Sequence, residues 1–567
     1  RLTPSPAHPD QSILRAPLTI KSELLRPLSA LSSVQQGALG YYRELRKTTD
    51  PFLQVAAWCA LLDAKQLTIP DWSALLPLCR YEAVRSRAYA YFHELNERSF
   101  AHRAAEAAPA MREDSNRKLR LAELSGDSAA AAEIQGELYL ETGDLTHLEK
   151  AARSAEIAGG WRPSLGWAVR MVVASPLNPA PVQLLYSVLE ASSQPDLLDE
   201  VAELFVARNM YLQIGQIFLA NAALMRGDAK LCLDKLAPLD EGRVVANAAL
   251  APYLGAIRAL RATAEEKLGH YKRAYDAFVA LNDAERAKDI DPQNYIRGIE
   301  IRSKIVVPPL PPDGAAVMVQ MVGFPRSGTT LLENVLAAHP QIETFEEIPA
   351  LTAAIDRIER VLLGKLPPEP PEATFIAARA RYFEEVAALR RKPDASVLVD
   401  KMPIRSADAA FISKLFPEWR YVFSIRHPYD VVLSCFKQRF TPNAAMENFR
   451  SIDSAARLYD LAMTEWFKQH TMDDPDVHYV RYDDLVTNFE PVTRATLDFL
   501  GVEWNDSVRD FSKSAEQRAA KTPSYQKVRQ GLSIGVQTQW RNYRFAFESE
   551  ATKPLAKWAE FFGYDTQ

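Results

Sequence analysis

A chain of 567 residues, 47% of them hydrophobic and 25% charged, exceeds one ordinary core and implies two or three domains. A formal net charge of −5 argues against wholesale binding to nucleic acid or an anionic membrane, while leaving room for a local basic pocket, and no uncharged apolar run is long enough to cross a bilayer. Cys59, Cys79, Cys232 and Cys435 stand far apart without a C-x-x-C pair, so neither a zinc site nor a disulfide framework is expected, and a reducing, cytoplasmic compartment fits; the chain opens on Arg1 rather than Met, which leaves room for a removed targeting segment.

Residues 1–12 are proline-rich and polar and read as a tail. Residues 13–303 are rich in Ala, Leu, Glu and Arg, with apolar residues at three- and four-residue spacing, which predicts an all-α region of stacked helix hairpins. The clearest unit places Ala262 seven residues before Gly269, followed by Tyr271, Ala274, Phe278 and Leu281. A small residue lets two helices approach, the glycine makes the turn, and the later residues fill the groove. The pattern resembles the tetratricopeptide consensus, as do Gly136, Gly143, Asp144, Leu145 and Leu148, and Ala220, Gly227, Asp228, Cys232 and Leu236. The turn glycines are separated by 84 and 42 residues, so the repeats are degenerate, and an irregular helical domain is the alternative. Such repeats either bind peptides on a concave face or hold a homodimer together.

Residues 304–316 contain four prolines and a glycine and predict an extended linker. From 317 to 567 the pattern changes. Apolar strand-like runs at Val317–Val322, Val397–Val399, Tyr421–Ile425 and His478–Val480 alternate with helical segments, which predicts an α/β domain around a parallel sheet.

The first of these strands runs into Gly323-Phe-Pro-Arg-Ser-Gly-Thr-Thr330 and then a helix. A strand, a glycine loop and a helix N-terminus together make an anion cradle. The G-x-x-x-x-G spacing is that of a P-loop, yet Thr329 stands where a Walker A lysine would be, which counts against a kinase or other NTPase.

The run GFPRSGTTLLENVLAAHPQIETFEE resembles the 5′-phosphosulfate loop of PAPS-dependent sulfotransferases (PAPS is 3′-phosphoadenosine 5′-phosphosulfate, PAP the product left after transfer). It is most similar to the branch holding tyrosylprotein sulfotransferases and bacterial repeat-containing sulfotransferases. The resemblance spans about 318 to 543 and implies that Arg326, Ser327, Gly328, Thr329 and Thr330 hold the 5′-phosphosulfate. Arg426 at a strand end and Ser434 eight residues later match the family's 3′-phosphate motif, where a guanidinium and a helix hydroxyl converge. The tyrosylprotein branch carries a further arginine where this chain has Gln438, with Lys437 and Arg439 as substitutes. By similarity, Tyr482 and the segment TPSYQKVRQG, through Ser524 and Arg529, also contact the donor.

Sulfonate transfer needs a base for the acceptor hydroxyl and cations for the departing phosphate. Glu347, 21 residues past Arg326, has the family spacing of the catalytic glutamate; its neighbour Glu346 is expected to be solvated, and His339 to shape a turn. Lys401 matches the lysine near the sulfonate, with Arg326 beside it. No metal is expected. The resemblance implies transfer from PAPS to a hydroxyl, most readily a protein or peptide tyrosine. Sugar or small-molecule hydroxyls suit the same residues, and an NTPase or an inactive scaffold is the alternative from another class.

Overall fold

The computed structural model describes residues 21–95, 97–106, 115–124, 127–158, 160–311, 317–362, 370–511 and 538–566. The tail 1–12, the end of the linker, and the candidates Ser524 and Arg529 lie outside them. The chain divides into two compact units, residues 1–269 and 270–567.

Every described element of the first unit is helical. Local chemistry sets its helix ends. Asp127 accepts from the Ala130 amide at 2.9 Å to begin Ser128–Thr142, and that helix stops at Gly143, whose φ of 73° suits a residue without Cβ. Asp144 then accepts from the Thr146 amide at 2.9 Å to begin Leu145–Ile157. Gly136 lies against Trp167: a Cβ there would come within 2.6 Å of the indole, so a small residue is required for that approach. No helix among the described residues is long and apolar enough to cross a membrane.

The second unit opens with helix α1, Tyr271–Glu285, although the sequence changes character only after residue 303. The pattern residues Ala274, Phe278 and Leu281 are buried, and Phe278 and Tyr275 pack on Phe436 with ring centroids 6.3 and 5.4 Å apart. A helical pattern reports an apolar face and not what covers it.

Among the described residues five parallel strands form the sheet: β1 Val317–Val322, β2 Ile342–Glu346, β3 Val397–Lys401, β4 Arg420–Ile425 and β5 Val477–Arg481, in the order β2-β3-β1-β4-β5. Four were expected. The fifth, edge strand β2 (IETFE), hides in sequence because it is short and carries two glutamates. Helix α2, Thr329–Ala337, packs Leu332, Val335 and Leu336 on Val319 and Met321 of β1. On the opposite face Gln320 is in register with Asp400, which accepts from Tyr382 of α3, Pro371–Leu389, at 3.0 Å. Helix α4, Pro428–Lys437, follows β4. Since β1 connects toward one edge and β4 toward the other, a crevice opens between their C-terminal ends, the usual place for a ligand in an open α/β sheet.

Candidate active site

The described sequence candidates gather at this one edge of the sheet. Gly323 to Thr330 follow β1, Glu347 follows β2, Lys401 ends β3, Arg426 follows β4 and Tyr482 follows β5. A parallel sheet directs all these strand ends the same way, so positions far apart in sequence meet in space.

The loop after β1 is built to turn tightly. Gly323, Arg326 and Gly328 have φ of 153°, 73° and 99°. A Cβ on Gly323 would sit 2.6 Å from the Ser424 carbonyl, and one on Gly328 would sit 2.4 Å from the Tyr482 ring. The Gly323 amide donates to Pro403 at 3.2 Å, and Ser424 donates to the Ser327 carbonyl at 2.9 Å. The Ser327 hydroxyl itself is buried and has no hydrogen-bond partner among the described residues. With the N-terminus of α2 beside it, this leaves a donor set suited to an anion.

The glycine loop and the segment carrying Arg426 and Ser434 touch. Arg326 Nε donates to Ser434 Oγ at 3.0 Å, and Arg426 Nη1 donates to the Arg326 carbonyl at 3.2 Å. Arg426 also lies over Tyr482, 4.9 Å from its ring centre. Lost hydration pulls the Arg326 guanidinium below its usual pKa; Cys435 opposes this and Arg426 adds to it. Guanidinia confined together favour a bound anion. Of the two substitutes for the charge replaced by Gln438, Arg439 pairs with Glu285 at 2.7 Å and Lys437 approaches Gln539 at 3.2 Å.

Lys401 is fully buried, with its ammonium 2.8 Å from Glu347, 3.3 Å from Glu346 and 3.7 Å from Glu333 of α2. Burial alone would favour the neutral amine, but Glu333, Glu347 and Glu346 outweigh it and hold the lysine above its ordinary pKa. The expectation that Glu346 is solvated is corrected: its side chain is 7% exposed and faces Lys401, because alternation along β2 turns it inward. Glu347, one residue past the strand, is 39% exposed and open to solvent. Glu333 went unnoticed as a site residue; its only sequence signal was an acidic side chain on the apolar helix after the loop. His339 accepts from the Gln341 amide at 3.2 Å and bonds the Glu503 carbonyl at 2.9 Å, as a turn former does.

Residues 319–506 match the model of the family described as Sulfotransferase family. Among similar proteins, one of Aquifex aeolicus is 27% identical over 298 residues, covering 49% of this chain and 38% of that protein. Protein-tyrosine sulfotransferase 1 of Danio rerio is 27% identical over 192 residues, 33% of this chain and 53% of its own length. Protein-tyrosine sulfotransferase of Drosophila melanogaster is 27% identical over 197 residues, 33% and 38%. The chain thus spans between 38% and 53% of these relatives' lengths. A solved sulfotransferase domain from the Synechococcus PCC 7002 olefin synthase has 20% identity and a TM-score of 0.35, covering 46% of this chain and 100% of that one. Residues 319–506 are thus what this chain shares with the sulfotransferase family, a similarity that covers the β1 loop, Glu347, Lys401, Arg426, Ser434 and Tyr482.

Proposed function

We propose that the protein transfers the sulfonate group of PAPS to an acceptor hydroxyl, with a protein or peptide tyrosine as the acceptor. One observation carries the donor assignment: the glycine loop after β1 and the Arg426–Ser434 pair after β4 meet through Arg326, giving two adjoining anion-binding elements in one crevice. A nucleotide bearing phosphate at both the 5′ and 3′ positions matches that pair, whereas ATP would leave the second element unfilled. The tyrosine assignment is supported by the protein-tyrosine sulfotransferases among the similar proteins.

In this reading the loop residues 326 to 330 hold the 5′ end of the donor, and Arg426, Ser434 and Tyr482 hold the 3′-phosphate side. Glu347 takes the proton of the acceptor hydroxyl as its oxygen bonds to sulfur. Lys401, kept charged by its carboxylate neighbours, stabilises the oxygen that leaves sulfur as that bond breaks.

The test has two steps. PAP is expected to raise the melting temperature where ATP and GTP do not. Labelled PAPS offered with tyrosine peptides, glycans and small phenols is expected to label the tyrosine peptides. A glycan or phenol labelled instead would overturn the acceptor assignment, and ATP binding in preference to PAP would overturn the donor assignment.

A further inference from the structure

Helix α1, whose residues follow the repeat consensus, reaches the donor site through a side chain outside that consensus. Asn282 is 2% exposed, and its Nδ2 donates to the Phe436 carbonyl at 2.9 Å. That carbonyl lies in the last turn of α4, and the chain turns extended at Gln438, so no amide of the helix can reach it. Ser434 is two residues earlier in the same turn, and Cys435 donates to the Pro325 carbonyl of the loop at 3.3 Å.

The Asn282 amide has one possible orientation. Arg450 Nη1 donates to Asn282 Oδ1 at 3.4 Å, and a guanidinium only donates, so the Asn282 oxygen faces Arg450 and its NH2 faces Phe436. Arg450 is itself fixed, donating to Glu447 at 3.0 Å and to the Glu285 carbonyl at 3.2 Å. Tyr275 and Phe278 clamp the Phe436 ring from the same side.

We infer that Asn282 is a positioning residue for donor binding: it caps the helix that carries Ser434 and thereby sets the Ser434 hydroxyl against Arg326, whose carbonyl Arg426 holds in turn. The inference rests on the reading of Ser434 as a donor contact. It makes a helix from the repeat-patterned region part of the donor site's support.

A double-mutant cycle on the full-length chain, read by calorimetric titration with PAP, tests it. Ser434→Ala is expected to weaken PAP on the order of tenfold, the loss of a hydrogen bond to a charged group. Asn282→Ala is expected to weaken it roughly fivefold, the loss of one neutral hydrogen bond. The double variant should bind no worse than Ser434→Ala alone, because Asn282 acts through Ser434. Losses that multiply, or an Asn282→Ala variant with unchanged affinity, overturn the inference while leaving the donor site standing. Wild-type affinity in Ser434→Ala removes the donor reading and the inference with it. Should Asn282→Ala not fold, Asn282→Asp still accepts from Arg450 but cannot donate to Phe436; it must show the same loss, and unchanged affinity in it overturns the inference equally.

Discussion

Glu347 and Lys401 are joined twice: the Glu347 amide donates to the Lys401 carbonyl at 2.8 Å, and the Lys401 ammonium meets the Glu347 carboxylate at 2.8 Å. The backbone bond fixes Glu347 at a φ of 48°, which a non-glycine residue adopts only under constraint. The carboxylate proposed as base and the ammonium proposed as cation are thereby held at a set distance, while the carboxylate keeps an open side.

Glu347→Gln is expected to lower sulfonate transfer on the order of a hundredfold, the usual contribution of a positioned base. PAP affinity should stay within about twofold of wild type, since a neutral amide replaces a group facing the acceptor. Single-turnover measurement with an accepted substrate checks the rate, and full turnover would remove Glu347 from the role. Glu346→Gln should be the milder change, because that side chain is 7% exposed against 39% for Glu347 and has no open side toward an acceptor.

Lys401→Met removes the ammonium that the buried Glu333 and Glu346 carboxylates face. Removing one partner of a buried ion cluster costs about 3–5 kcal/mol. The midpoint of urea unfolding should fall accordingly, with activity lost as well. A variant as stable as wild type would show that the carboxylates have another counter-charge.

Gly328→Ala adds a methyl group into the Tyr482 ring at a φ of 99°. Both effects act on the anion loop, so PAP affinity is expected to drop at least about tenfold, with strain and displacement of Tyr482 as the causes. Unchanged binding would mean that neither the loop nor Tyr482 touches the donor.

The loop itself was legible because strand, glycines and helix start are contiguous in sequence, and Arg426 with Ser434 for the same reason. Other contacts were not. Glu346 seemed solvated because β2 was missed, and without a strand there is no alternation to turn it inward. Glu333 and Asn282 are separated in sequence from the residues they serve. Glu333 reaches Lys401 only because β3 lies beside β1, and Asn282 reaches Phe436 only because α1 packs on the end of α4 within the second unit. Patterning marks which face of a helix is apolar, and strand order decides what that face meets.

Asp400, which faces Tyr382 on the side of the sheet opposite α2, offers a pH test. Burial raises its carboxyl to about 6, with Tyr382, Arg405 and Lys401 pulling the other way. The folded value lies above the ordinary 3.8, so the folded state holds the proton more tightly, and this site's contribution to stability is lost as pH rises from about 4 to about 6. Asp400→Asn keeps an acceptor for Tyr382 without the charge. Its unfolding free energy should exceed wild type by about 3 kcal/mol at pH 7, converging near pH 4. A difference independent of pH would contradict the shift.

The most direct test of the two-element donor site compares PAP with 5′-AMP, which differ only by the 3′-phosphate, on wild type and on Arg426→Ala. Wild type should prefer PAP by on the order of tenfold or more, as expected for charge-assisted contacts, and Arg426→Ala should cut that preference sharply, leaving only what Ser434 supplies. Equal binding of the two nucleotides by wild type would contradict the account.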